Sequence, residues 1–400
     1  MAVSDAAAGP AHLADFAAAV MADTAFAATL ASAVERDAFA AQAVRHAADR
    51  GFRLDAAAVT AALRPDPLGL ARYVPPLMQG RHWPPAAWLP VQVVVAEDGP
   101  SVDWAYFGDR RLTESFFEDS MRRAIALPFN ALFRYRMTLA DFLSHAEIAP
   151  NLAPDGFIFH MSRCGSTLAA QMFAALPDYV VISEAPPIDT VLQLARGAAL
   201  ETAAQALRAI VTSYGRRRPG ARRFIVKLDS RHALALPVFQ RAFPETPWTF
   251  FYRDPVEVMV SQTRMRGIQM LPAMVPASLF GIEPSENHDL EDYGARVLGA
   301  ICRAAAAAQA HDPRGRLINY RDLPGAVFTE LLPHFGLALD DGARATMQRV
   351  TQQDAKTPVL TFTADSAAKQ EEATPSLRQA AQTHVGAVYR QLEAQRAAAR

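Results

Sequence analysis

Five short runs, GFIFHM, YVVIS, RFIVKL, WTFFY and RLINY, recur between residues 156 and 320, each rich in β-branched or aromatic residues and separated by helical or turn-forming segments. Continuously apolar strands alternating with helices mark a parallel sheet covered on both faces, because a strand buried on both sides has no polar alternation to show. The expected fold class is therefore α/β, with a central parallel sheet flanked by helices. Ligands of such sheets sit beyond the carboxyl ends of the strands. The residues there are Ser162 to Thr167, Glu184, Lys227 with Asp229, and Arg253. They are polar, and their charges suit an anionic ligand and a nucleophile.

The alternation starts near residue 150 and divides the chain into 1–150 and 151–400. Residues 11 to 63 have helical apolar spacing and are rich in Ala, and LARYVPPLMQGRHWPPAAWLP reads as a Pro-punctuated connector. VQVVVAEDGPSVDWAYF predicts a β-hairpin around Asp98-Gly99, since two β-forming runs flank a dipeptide able to take positive φ. FFEDSMRRAIALPFNALFRY and MTLADFLSHAEI predict helices, the second capped by Thr138. This half is expected to be mainly helical, to carry one hairpin and to hold no chemistry; its Trp and Phe residues read as core.

Composition narrows the function classes. A chain of 400 residues with 51% hydrophobic and 20% charged content is an ordinary globular one, and a net charge of -1 offers no basic surplus for nucleic acid or an anionic membrane. Cys164 and Cys302 are the only cysteines, too few for a disulfide framework and without metal-ligand spacing to a His pair. A reducing cytoplasm and a metal-free site are the expectations. The Ala-rich N-terminus has no basic start and carries Asp5 and Asp15, so it reads as a soluble helix, and no run reaches about 18 apolar residues. Only three of the 40 Lys and Arg residues are lysines, Lys227, Lys356 and Lys369. In so Arg-biased a chain, a retained Lys points to a place that needs a compact ammonium.

The loop SRCGST follows a strand and opens a helix, which aims backbone N–H groups and the positive end of the helix dipole at one point. Gly165 permits close approach, Ser166 and Thr167 add hydroxyls, and Arg163 supplies a planar cation. A second element, WTFFYRDPVEVMVSQ, ends its strand at Tyr252, starts a helix at Asp254-Pro255 and places Ser261 two helical turns beyond Arg253. Both can face the first loop.

Together, SRCGSTL, FIVKLDSRHALALPVFQRAFP and FFYRDPVEVMVSQ resemble the sulfotransferases that use 3′-phosphoadenosine 5′-phosphosulfate, including bacterial ones, over roughly residues 155 to 335. The resemblance implies a P-loop-like fold and that nucleotide as donor co-substrate, without metal. It assigns Arg163, Cys164, Gly165, Ser166, Thr167 and Leu168 to the 5′-phosphosulfate loop, and Arg253 with Ser261 to the 3′-phosphate. Cys164 stands where the family usually has Ser, and Ser162 where it often has Pro, which puts one side-chain contact in doubt. INYRDL at 318–323 is similar to a structural stretch of the family and receives no catalytic role.

Sulfuryl transfer needs a base for the acceptor proton and cations over the developing charge. Lys227, at the end of an otherwise apolar strand, is the expected cation for the leaving group, alongside Arg163. Glu184, in VVISEAPPI, matches the base of the tyrosyl-protein and several bacterial branches. The small-molecule branch has a His two residues beyond the Lys, where this chain has Asp229, so Asp229 and His232 remain as alternatives. His160 reads as core. Lys356 or Lys369 is a candidate for the 3′-phosphate. Two other functions stay open: a P-loop kinase, which would want a loop Lys that is missing here, and a non-catalytic nucleotide-binding protein. RGIQMLPAMVPASLFGIEPSENHDLEDYG is a long apolar insertion suited to an acceptor pocket or a packed interface. The acceptor and the oligomeric state are open.

Overall fold

The structure is a computed structural model that describes residues 10–149, 151–216, 219–283, 289–356 and 365–399. Residues 284–288 of the apolar insertion singled out above, residues 357–364 between Lys356 and Lys369, and residues 1–9 of the Ala-rich N-terminus lie outside the described residues.

Five strands form the expected parallel sheet: β5 (Gly156–His160), β6 (Tyr179–Ser183), β7 (Arg223–Lys227), β8 (Trp248–Tyr252) and β9 (Gly315–Asn319). Their order is β6-β7-β5-β8-β9, all parallel. The strands read as unbroken apolar runs because helices cover both faces. Phe157, Phe159, Phe224, Phe250 and Phe251 are almost fully buried, each worth about 1.5 to 3 kcal/mol of transfer from water. Phe157 meets Phe239 and Phe243 edge to face at 5.3 and 5.1 Å.

Register decides what meets at the carboxyl edge. Ser183 pairs with Lys227, His160 with Phe251 and Tyr252 with Asn319, so the residues that follow β5, β6, β8 and β9 emerge side by side with the end of β7. Glu184 N–H donates to the Lys227 carbonyl at 2.8 Å, extending the β6–β7 pairing by one residue.

The first half differs in part from its expected form. Helices Pro10–Ala22, Thr24–Ala31, Arg36–Asp49 and Ala56–Ala62 come first, and the hairpin β2 (Trp88–Ala96) with β3 (Gly99–Tyr106) turns through Glu97-Asp98. Gly99 takes φ 107 as the first residue of the return strand, one place later than expected for the turn itself. The hairpin is the middle of a larger sheet, in which β1 (Met78–Gln79) and β4 (Tyr135–Thr138) extend it to order β1-β4-β3-β2. Two- and four-residue strands are too short to show a period. Thr138 caps the following helix as expected, its hydroxyl accepting from Asp141 N–H at 3.1 Å.

The core runs on across residue 150. Tyr214 donates to the Pro90 carbonyl at 3.0 Å, and Arg111 to the Ala174 carbonyl at 2.6 Å. Among the described residues no single helix is long and apolar enough to cross a membrane.

Candidate active site

A cleft of about 1080 Å³ opens at the carboxyl edge of the parallel sheet, lined by the loop after β5, Glu184, Asp229, Arg253, Ser261 and the segments around 320, 354 and 366. Four non-glycine residues have positive φ among those described, and three of them, Ser162 (80°), Arg163 (51°) and Glu184 (54°), line this cleft. Such conformations cost of order 1 to 3 kcal/mol each and persist where the surroundings demand them.

The loop is held from below. His160 Nδ1 accepts the Ser162 N–H at 3.0 Å, which leaves the proton on Nε2, 2.8 Å from the Leu228 carbonyl. Burial, then the nearby Lys227, lowers the His160 pKa, so the ring is neutral and serves as a fixed strut. Ser162 Oγ accepts from Gln262 Nε2 at 2.9 Å. Gly165 has φ 83, and a Cβ there would collide with Leu323 and come within 3.0 Å of Tyr320. The helix Ser166–Ala174 starts immediately after it. Ser166 and Thr167 line the cleft, and their hydroxyls have no intramolecular hydrogen bond among the described residues. Leu168 also lines it, one turn into the helix. Cys164 contributes backbone to the cleft, since its thiol points into the sheet and donates to the Phe251 carbonyl at 3.1 Å. Burial pushes that thiol up to about 12, so it is inert at neutral pH. Arg163 reaches across the mouth to the Met265 carbonyl at 2.6 Å.

Glu184 and Lys227 form an ion pair, with the His160 ring 3.3 Å from the same carboxylate oxygen. Lys227 is completely buried, behind Glu184 and the ring of Phe116, whose centroid is 5.4 Å from its Nζ. Burial alone would raise the Glu184 pKa, but the Lys227 ammonium and the His160 ring overrule it and hold the carboxyl well below the usual carboxylate range. Of the alternative bases, Asp229 lines the cleft while its Oδ1 caps Arg231 N–H at 3.0 Å. His232 is turned away to Asp189, at 3.2 Å.

At the other end, Arg253 is buried and fully engaged. It contacts Glu257, Asp365 Oδ1 at 2.8 Å and Ser366 Oγ at 3.0 Å, and lies over the Tyr320 ring at 3.8 Å. Lys369 binds the other oxygen of Asp365 at 2.7 Å. Ser261 faces the same stretch of cleft. The two remaining lysines therefore part company: Lys369, in the helix Ser366–Glu372, stands with Arg253, and Lys356 lines the cleft together with Arg163 and Glu184.

Several lining residues escaped the sequence. Phe116 comes from the half read as free of chemistry, and no local signal marks it. Glu257 was legible in principle, because i and i+4 neighbours on a helix pair when their charges are opposite. Asp365, Ser366 and Tyr320 are brought in by tertiary folding alone. The apolar insertion splits: Met270, Val275, Phe280 and Ile282 join the core, Gly267, Ile268 and Gln269 wall the cleft, and Met274 stays exposed.

No protein-family model matches the sequence, and no curated protein matches it. Among solved structures the chain is similar to sulfotransferase STF9 from Mycobacterium avium, at 12% identity and a TM-score of 0.38, over 60% of this chain and 80% of that one. It is also similar to the sulfotransferase domain of the curacin biosynthetic pathway, at 15% identity and a TM-score of 0.36, over 58% and 98%. A third likeness is to the sulfotransferase domain of the Synechococcus PCC 7002 olefin synthase, at 17% identity and a TM-score of 0.38, over 59% and 96%.

Proposed function

We propose that this chain is a sulfotransferase that moves a sulfuryl group from 3′-phosphoadenosine 5′-phosphosulfate to a hydroxyl or amine acceptor. The observation that carries the reading is one cleft with Arg163 at one end, Arg253 at the other, and Glu184 backed by the buried Lys227 between them. The strained loop with Arg163, Ser166 and Thr167 at the start of a helix suits the phosphosulfate, and Arg253 with Ser261 suits the 3′-phosphate. Cys164, Gly165 and Leu168 contribute main chain and wall rather than charge.

At rest Glu184 is a poor base because Lys227 neutralises it. With donor in place, the ammonium turns from Glu184 toward the oxygen that bridges phosphorus and sulfur. Glu184 then loses its counter-ion and regains basicity. The acceptor oxygen or nitrogen attacks sulfur, its proton passes to Glu184, and the S–O bond breaks with its electron pair staying on the nucleotide phosphate. Lys227 and Arg163 cover that charge.

Ligand-induced stabilisation tests the donor. Adenosine 3′,5′-bisphosphate should raise the melting temperature with or without chelator, and ATP with magnesium should not. A larger shift with ATP and magnesium would favour the kinase reading, which the loop's missing Lys argues against. Incubating radiolabelled donor with cell extract and identifying the labelled product by mass would find the acceptor.

A further inference from the structure

The cleft holds a cation that the reaction above does not use. Lys356 follows the helix Asp341–Val350 and lines the same space as Arg163 and Glu184. Its backbone is pinned twice. The Asp354 carboxylate accepts the Lys356 N–H at 3.0 Å, and Ser115 Oγ donates to the neighbouring Ala355 carbonyl at 2.7 Å. Phe116, next to Ser115, covers Lys227, and Gln171 from the helix after the loop donates to the Glu114 carbonyl at 3.2 Å. Two segments from distant parts of the chain are thus laced together over the Glu184–Lys227 pair, and Lys356 is the charge they deliver.

Arg163 and the neutral Cys164 on the loop after β5, Glu184 after β6 and Asp354 on its own segment line the same cleft, and Lys227 at the end of β7 lies buried behind Glu184. Glu184 is already paired with Lys227. Among the described residues neither Arg163 nor Lys356 forms an ion pair of its own, and the Lys356 ammonium has no hydrogen-bond acceptor. Although the side chain is open to solvent on one side, enclosure by the cleft walls, then repulsion from Arg163 and Lys227, lowers its pKa to about 8. Three cations at one end of the cleft share a single carboxylate, Glu184, and such an excess of positive charge calls for an anion between them.

We propose that Lys356 is a catalytic residue that donates to an oxygen of the sulfuryl group in transit, remaining protonated throughout. This rests on the reading of the cleft as a phosphosulfate site. It also separates Lys356 from the 3′-phosphate, which Arg253 faces at the far end.

The test compares two nucleotides that differ by the sulfuryl group. Calorimetric titration of the whole chain with 3′-phosphoadenosine 5′-phosphosulfate and with adenosine 3′,5′-bisphosphate is run for wild type, Lys356→Met and Lys356→Arg. Lys356→Met should weaken the phosphosulfate by about 10-fold or more, as for a lost charge-assisted contact, and the bisphosphate much less. Between about pH 7 and about pH 9 the wild type should lose up to about 10-fold in phosphosulfate affinity as the ammonium titrates, and Lys356→Arg should stay flat because guanidinium does not titrate there. Equal losses for both nucleotides in Lys356→Met, no loss for either, or an undiminished pH dependence in Lys356→Arg would overturn the inference while leaving the donor reading intact. A wild type that binds neither nucleotide would remove both.

Discussion

Replacing Glu184 by Gln isolates the charge pair at the centre of the cleft. The side chain keeps its size and a carbonyl oxygen for Lys227, but the ammonium, with no exposed surface, loses the one carboxylate it pairs with among the described residues. Removing one member of a buried pair costs about 3 to 5 kcal/mol, and the retained amide contact argues for the lower end, about 3 kcal/mol. For 400 residues, an unfolding entropy of about 2.1 cal/mol/K per residue turns this into a fall of about 4 °C in melting temperature. The donor should then act as the missing counter-ion. Glu184→Gln should bind 3′-phosphoadenosine 5′-phosphosulfate roughly 10-fold more tightly than wild type, regain most of the lost stability when saturated, and transfer sulfuryl at least about 100-fold more slowly. Thermal unfolding with and without donor, calorimetry and product formation read these three effects separately. An unliganded Glu184→Gln as stable as wild type, with unchanged donor affinity, would mean that Lys227 has another partner and that the handover of Lys227 from Glu184 to donor does not operate.

Three further outcomes are expected. Arg253→Ala should weaken adenosine 3′,5′-bisphosphate by about 10- to 150-fold while leaving adenosine 5′-phosphosulfate nearly unchanged, and parallel losses by calorimetry would make Arg253 a structural clasp for Glu257 and Asp365 only. Gly165→Ala, at φ 83 and against Leu323, should abolish nucleotide-induced stabilisation in the same melting assay, because the loop cannot keep its path around a Cβ. Glu393 accepts from Tyr252, Asn319 and Arg396, and although burial opposes it, these contacts hold its pKa at about 2. Its stabilisation is present above the usual carboxylate range and is lost as pH falls toward about 2, so urea unfolding of Glu393→Gln should show a shallower acid decline than wild type.

What could be read in advance follows from the range of the forces involved. The five parallel strands were legible because burial on both faces writes itself into consecutive residues, and β1 and β4 were not because so few residues carry no period. Arg163, Glu184, Lys227 and Arg253 were singled out by their places at or just after strand ends and Ser261 by its spacing from Arg253, and all five lie at one edge of the sheet. Their partners were hidden. Lys227 and Glu184 were read as clamp and base close to one another, and the β6–β7 register brings them into a direct ion pair. Phe116 and Asp365 come from distant segments, each an unremarkable residue until folding sets it against a charge.

The carboxylate of Asp365 on Arg253 and Lys369 has a consequence for how a nucleotide comes and goes. On the function proposed above, the end of the cleft that takes the 3′-phosphate already holds an anion of the protein's own, so an incoming phosphate would replace one negative charge with another. Affinity there is the difference between two similar sets of ionic contacts, and its dependence on salt should be slight compared with capture by bare cations. The displaced carboxylate, 37% exposed at the lip, swings outward but remains tethered. At an effective concentration of millimolar order for a short tether, it would compete for Arg253 each time the spent nucleotide loosens. Release of the product is thereby a displacement from within.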